Sequence, residues 1–121
     1  MIEQLGIGID ISDISNFEKI PYDEKPDFYK KLFLLSEINY CLKFKNPYPH
    51  FAGKFAIKEA VKKSLKQKIS MLTIQTNHIE SKPTVSLIDE NNKFNFLVSL
   101  SHEKNFAIAV VISEFYSILQ K

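Results

Sequence analysis

The sequence contains no arginine and no tryptophan, a single cysteine, Cys41, and only three glycines in 121 residues. Each scarcity excludes something. Without arginine, all sixteen basic residues are lysines, so phosphate or carboxylate groups must be met by point-charge ammonium groups and not by the bidentate guanidinium fork. One cysteine excludes an intrachain disulfide and a cysteine-rich zinc module, and it fits a reducing compartment. No apolar run approaches the roughly 18 residues needed to cross a bilayer. Met1-Ile2-Glu3-Gln4 lacks the basic start and long apolar stretch of a secretory leader. A cytoplasmic protein without a membrane partner is expected. The net charge of +2 is too mild to argue for nucleic acid, which is not expected as a partner. There is no internal repeat, no low-complexity tract, and no P-loop, GxSxG, HExxH or GxGxxG pattern; the spacing of Gly6 and Gly8 does not suit a dinucleotide fingerprint.

Ten phenylalanines and five tyrosines supply a core, and the length suits one domain, residues 1–121. Leu5 to Ile11 is apolar and β-branched and predicts a buried strand ending near Asp10. Asp13 to Ile20 predicts a helical turn stopped by Pro21. Asp27 to Phe33 and Ser36 to Phe44 predict short helices, with Ser36 as N-cap of the second, and Pro47 and Pro49 then break the chain. His50 to Lys66 carries the strongest helix signal, being rich in Ala, Lys, Glu, Phe and Leu and free of proline. Strands are predicted over Met71–Ile79, Thr84–Ile88, Asn95–Ser101 and Phe106–Ser113. Turns fall at Ser81-Lys82-Pro83, Asp89–Lys93 and His102–Asn105. A helical middle followed by a sheet-rich half predicts an α+β fold, a mostly antiparallel sheet packed against one long central helix.

Three places carry candidate chemistry. On the long helix, positions 52, 56, 59 and 63 share one face and read Ala52, Ala56, Glu59, Lys63. Two alanines admit a neighbour closely, and a carboxylate and an ammonium follow one turn apart; an ordinary surface pair would look the same. Asp10 stands at the end of a strand in which Gly6 and Gly8 permit close backbone approach, or it caps the segment that follows. Ser101-His102 closes a predicted strand, where a histidine can meet a phosphate, move a proton or simply stabilise a turn.

Taken in order, Gly8-Ile9-Asp10, then Phe51-Ala52-Gly53-Lys54-Phe55-Ala56-Ile57-Lys58-Glu59-Ala60, then Lys82-Pro83, then Ser101-His102 and the strand with Ala107 and Ala109 resemble the holo-acyl-carrier-protein synthases. These are the small single-domain 4′-phosphopantetheinyl transferases. The resemblance extends from Leu5 to Ser113 and includes Leu35-Ser36-Glu37 and Tyr40-Cys41 ahead of the helix. It implies transfer of the phosphopantetheine arm of coenzyme A to a serine of an apo acyl carrier protein, with release of 3′,5′-ADP. It also implies Mg²⁺, with Mn²⁺ equally suited to an oxygen site, and a homotrimer with active sites at subunit interfaces. By the same resemblance Asp10 and Glu59 are metal ligands, Glu59 and Lys63 the catalytic pair, and Lys54, Lys63, Lys82, Pro83, Ser101 and His102 the coenzyme A contacts.

Four positions depart from the family pattern: Asn16 and Lys54 stand where arginine is usual, and Lys66 and Ser81 where glycine is usual. The carrier protein is acidic and calls for a basic patch. Asn16, Phe28, Lys30 and Lys31 are the candidates, although Asp23, Glu24 and Asp27 precede the lysines. Three other readings compete: a lysine-rich binding module, a non-catalytic chain of the same fold, and a different phosphotransferase using the same metal pair, for which no nucleoside-triphosphate motif is present.

Overall fold

The computed structural model of the chain describes residues 2–88 and 93–116. Strand β1 (Ile2–Asp13) opens the chain, followed by the short helices α1 (Ser15–Glu18), α2 (Pro26–Lys30) and α3 (Leu35–Leu42) and the long helix α4 (Tyr48–Ser64). A 3₁₀ turn (Met71–Thr73) leads into β2 (Ile74–Ile79), β3 (Lys82–Leu87), β4 (Phe94–His102) and β5 (Phe106–Tyr116). All pairings are antiparallel: a three-stranded sheet in the order β1-β5-β4 and a separate β2-β3 hairpin. The expected α+β architecture with a central helix is therefore what the chain adopts. Among the described residues, no helix is long and apolar enough to cross a membrane.

Several local expectations change. Pro47 is the N-cap of α4 and Pro49 lies in its first turn, where a missing N–H costs nothing; the prolines start the helix instead of separating it from the chain. The helix ends at Ser64, with Leu65 extended. Ser36 does not cap α3. Leu34 does, and Glu37 Oε1 accepts its backbone N–H at 2.7 Å. Asp13, not Asp10, caps the turn after β1: Asp13 Oδ1 accepts from Ser15 N at 2.9 Å and from Ser15 Oγ at 2.8 Å. Lys82 and Pro83 lie in β3, and the turn is Glu80-Ser81, both with positive φ (51° and 69°). That twist suits a two-residue hairpin, and Ser81 occupies the left-handed region that a glycine fills without strain. Most of the turn expected at Asp89–Lys93 lies outside the described residues.

β1 is not buried on both faces. Leu5, Ile7, Ile9 and Ile11 are 70, 68, 60 and 59% exposed, while Gly6, Gly8, Asp10 and Ser12 alternate onto the opposite face, toward α4. The inward face is built for contact with a helix backbone. A Cβ on Gly6 would overlap the carbonyl of Ser64, and one on Gly8 the carbonyl of Ala60. Ser113 Oγ donates to the Ser64 carbonyl at 3.1 Å, joining β5 to the same helix end. Below the other side of α4 lies an aromatic core, where Tyr29 and Phe51 have ring centroids 4.6 Å apart and Phe33 and Phe51 5.1 Å.

The glycine contacts give a direct test. Gly8→Ala should lower the unfolding free energy by about 3 kcal/mol or more, because backbone must move. Gly53→Ala should cost less, since its nearest neighbour is the movable end of Leu100 at 3.1 Å. Urea unfolding of the two variants measures the difference, and equal costs would show that β1 can retreat from α4.

Candidate active site

The approach of β1 to α4 decides what stands beside what. With Gly6 against Ser64 and Gly8 against Ala60, the next inward residue of β1, Asp10, reaches the turn that bears Glu59 and Lys63. Lys63 Nζ donates to Asp10 Oδ1 at 3.0 Å and to the Ile9 carbonyl at 3.1 Å. Glu59 lies one turn earlier, and its nearest cation is Lys62 at 3.8 Å. The ordinary Glu59–Lys63 surface pair is therefore not formed, because Lys63 is drawn across to β1. Asp10 is largely covered, whereas half of the Lys63 side chain is exposed.

Among the described residues no group of three or more His, Cys, Asp or Glu side chains forms a metal cage. Two carboxylates, one on β1 and one on α4, are nonetheless the donor set of a hard divalent cation that keeps waters and takes phosphate oxygens as its other ligands. Asp10 and Glu59 fit Mg²⁺ or Mn²⁺ on that ground.

The remaining expected residues sit toward the N-terminal end of α4. Lys54 and His102, with Pro83, border a cleft of about 400 Å³. Lys54 forms its floor: the residue is buried, and its Nζ donates to Thr76 Oγ1 at 3.0 Å and lies 4.7 Å from the centre of the Tyr40 ring. Burial holds the Lys54 amine below its usual range, partly offset by Cys41 and Glu37. His102 Nε2 donates to the Pro49 carbonyl at 3.0 Å, which places the ring proton on Nε2. Gly53 allows this approach, since a Cβ there would lie 3.2 Å from Nε2. Ser101 points away by strand alternation and is exposed. Lys82 lines an adjoining groove of about 830 Å³ between β3 and β4, and Pro83 and Leu100 border both spaces. Asn16, Lys30 and Lys31 are exposed on α1 and around α2. Phe28 is half-buried, its ring 5.2 Å from Tyr29 and 6.2 Å from Phe17, so it is more core than display.

Sequence reasoning missed a buried polar hub. Lys58 is fully buried, and its Nζ bonds Glu37 Oε1 at 2.6 Å and the carbonyls of Leu32 at 2.9 Å and Met71 at 3.1 Å. Glu37 Oε2 accepts from Thr76 N at 2.8 Å and Thr76 Oγ1 at 2.6 Å. Burial depresses the Lys58 amine, and Glu37 works against it. Burial likewise pushes the thiol of Cys41 up to about 12, which removes it from any nucleophilic role. His50 and His78 were also missed, and both line the cleft.

The sequence and fold of the chain have counterparts. The family model described as the 4′-phosphopantetheinyl transferase superfamily matches residues 6–111. The chain belongs to that superfamily and, within it, to the holo-acyl-carrier-protein synthase family of enzymes. The holo-acyl-carrier-protein synthase of Thermodesulfovibrio yellowstonii is 38% identical over 115 residues, covering 93% of this chain and 98% of its own length. The Helicobacter pylori enzyme, solved in complex with coenzyme A, is 35% identical with a TM-score of 0.75, over 88% of this chain and 98% of that one. The Bacillus anthracis enzyme, solved with coenzyme A (3′,5′-ADP), is 29% identical with a TM-score of 0.78, over 93 and 96%.

A pH dependence of stability follows from the cleft. Burial, then neighbouring cations, hold His50 and His78 below their ordinary value of 6.5. The unfolded chain then binds more protons, so their contribution is fully present above that value and is lost as pH falls through it toward the lowered ones. Thermal unfolding of the ligand-free chain should show the midpoint falling below about pH 6.5, with a shallower fall in His78→Gln. An unchanged slope in the variant would place His78 in solvent.

Proposed function

We propose that this chain transfers the 4′-phosphopantetheine arm of coenzyme A to the serine of an apo acyl carrier protein and releases 3′,5′-ADP, using Mg²⁺ held by Asp10 and Glu59. The observation that carries this reading is the contact of Lys63 with Asp10, made where β1 lies against the turn of α4 that bears Glu59, in a chain of this family. The bound cation would neutralise charge developing on the transferred phosphoryl group. Glu59 takes the proton of the attacking serine hydroxyl, directly or through one water. The serine oxygen bonds to phosphorus as the bond from phosphorus to the departing 3′,5′-ADP oxygen breaks. Lys63, half exposed on a flexible stem, turns from Asp10 to the leaving phosphate and stabilises its charge. Lys54, Pro83 and His102 in the cleft, with Lys82 in the adjoining groove and Ser101 on the outer side of β4, contact the nucleotide end of coenzyme A. Asn16, Phe28, Lys30 and Lys31 receive the acidic carrier protein, in fatty-acid synthesis and in the cytoplasm.

The same reading includes a homotrimer. It is supported by the row of exposed Leu5, Ile7, Ile9 and Ile11 on β1, with Leu97 on β4 55% exposed, a continuous apolar face that water does not favour. It is also supported by the position of the histidine cleft, which holds neither Asp10 nor Glu59. Ile9→Lys should convert a sedimenting trimer to monomer; a wild-type monomer in analytical ultracentrifugation would remove the trimer.

Intact mass spectrometry of apo acyl carrier protein incubated with this chain, coenzyme A and Mg²⁺ tests the reaction. One phosphopantetheine mass should be gained, and the gain should vanish with chelator. Asp10→Ala and Glu59→Ala should each lower turnover by about 100-fold or more while folding normally. Near-wild-type turnover in either variant would overturn the metal assignment.

A further inference from the structure

The chain has three histidines, and all three line one cleft, although they come from three separate elements: His50 on α4, His78 on β2 and His102 at the end of β4. Each ring is held. His50 stacks on Phe44 with centroids 3.6 Å apart, His78 stacks on Tyr40 at 4.7 Å and 9°, and His102 is anchored on the Pro49 carbonyl. No carboxylate lines this cleft among the described residues. The Nδ1 atom of His78 is buried and has no hydrogen-bond partner among them. A buried ring nitrogen without a partner is costly, and beside an ammonium it stays neutral for lack of a counter-charge.

The charged and titratable neighbours are accounted for on every side. From α3 come Tyr40 at the wall and, behind it, Cys41 and Glu37. From α4 comes Lys54 at the floor, with Lys58 beyond it. From β4 comes His102, and Glu80 and Lys82 line the neighbouring groove. Among the described residues the one buried carboxylate, Glu37, is committed to Lys58, Thr76 and the N-terminus of α3. The cleft is therefore a cationic recess with protonatable walls and no internal counter-ion.

We infer that this cleft is a proton-coupled phosphomonoester site, in which His50 and His78 each take up a proton as the 3′-phosphate of coenzyme A enters beside Lys54 and His102. The inference rests on the transferase reading and adds to it two recognition residues and a pH dependence. In a chain without arginine, histidines charged on demand supply the extra donors that a dianion needs. A charged His78 also gains a cation–π contact with Tyr40, on which it already stacks. The lowered affinity of both rings for protons has the same origin, burial and neighbouring cations, and a phosphate dianion reverses the second cause.

Calorimetric titration of the chain with coenzyme A and with 3′-dephospho-coenzyme A, in buffers of different ionisation enthalpy, tests this. Proton uptake should accompany coenzyme A and be absent with the dephospho compound. Affinity for coenzyme A should rise by about 3- to 10-fold between about pH 8 and about pH 7, a range in which the phosphate itself stays largely dianionic. His50→Gln and His78→Gln should each remove part of the uptake and flatten the pH dependence. The His50 and His78 resonances followed by NMR should titrate higher with coenzyme A bound. Coenzyme A binding without proton uptake, or equal uptake with the dephospho compound, overturns the site and leaves the transferase reading standing. No binding of coenzyme A at any pH overturns both.

Discussion

The backbone of α4 rests on β1 at a separation that only glycine permits. Gly6 and Gly8 remove the side chains that would strike the carbonyls of Ser64 and Ala60, so a strand lies where a second layer of side chains would otherwise be needed. Because the side chains of a strand alternate, the residue following this glycine pair on the same face must also point at the helix. That residue is Asp10, and the helix residues it meets are those of the Glu59–Lys63 turn. The ion pair between Lys63 and Asp10 is the consequence of this contact and not its cause, since a partly exposed pair contributes little by itself.

The opposite side of α4 is held by a different device. Lys58 and Glu37 are both without exposed surface, and every oxygen of Glu37 is engaged, one by Lys58 and the Leu34 N–H, the other by Thr76. A buried pair in this state adds little over an apolar packing of equal volume, but loss of one partner costs roughly 3–5 kcal/mol. Its effect is one of registration: a single carboxylate joins α3, α4 and β2. That junction places Tyr40 of α3 and His78 of β2 face to face over Lys54. The two ends of α4 thus carry different chemistry, carboxylates at one and a cationic cleft at the other, and each end is positioned by the contact nearest to it.

Much of this was readable locally. The Ala- and Lys-rich stretch predicted α4 to within two residues at each end, and the glycine spacing in β1 correctly signalled close approach. The burial of β1 was misread because Leu5, Ile7, Ile9 and Ile11 would suit a core as well as an exposed face; alternation shows two faces without showing which is covered. Ser36 has the residue type of an N-cap but lost the position to Leu34, because Glu37 reaches back to it. Lys54 and Lys58 resemble solvated helix lysines in sequence, and only their distant partners, Thr76 and Glu37, show that they are buried.

The sequence alone determined the elements, the α+β class and the order of Asp10, Glu59, Lys63 and His102, because propensity, alternation and motif spacing are properties of neighbouring residues. Tertiary structure decided which of them meet. It separated Lys63 from Glu59 and gave it to Asp10, committed Glu37 to Lys58, and gathered His50, His78 and His102 into one cleft. Those contacts join residues 21 to 53 positions apart, and such pairings are set by the packing of whole elements, to which no local pattern refers.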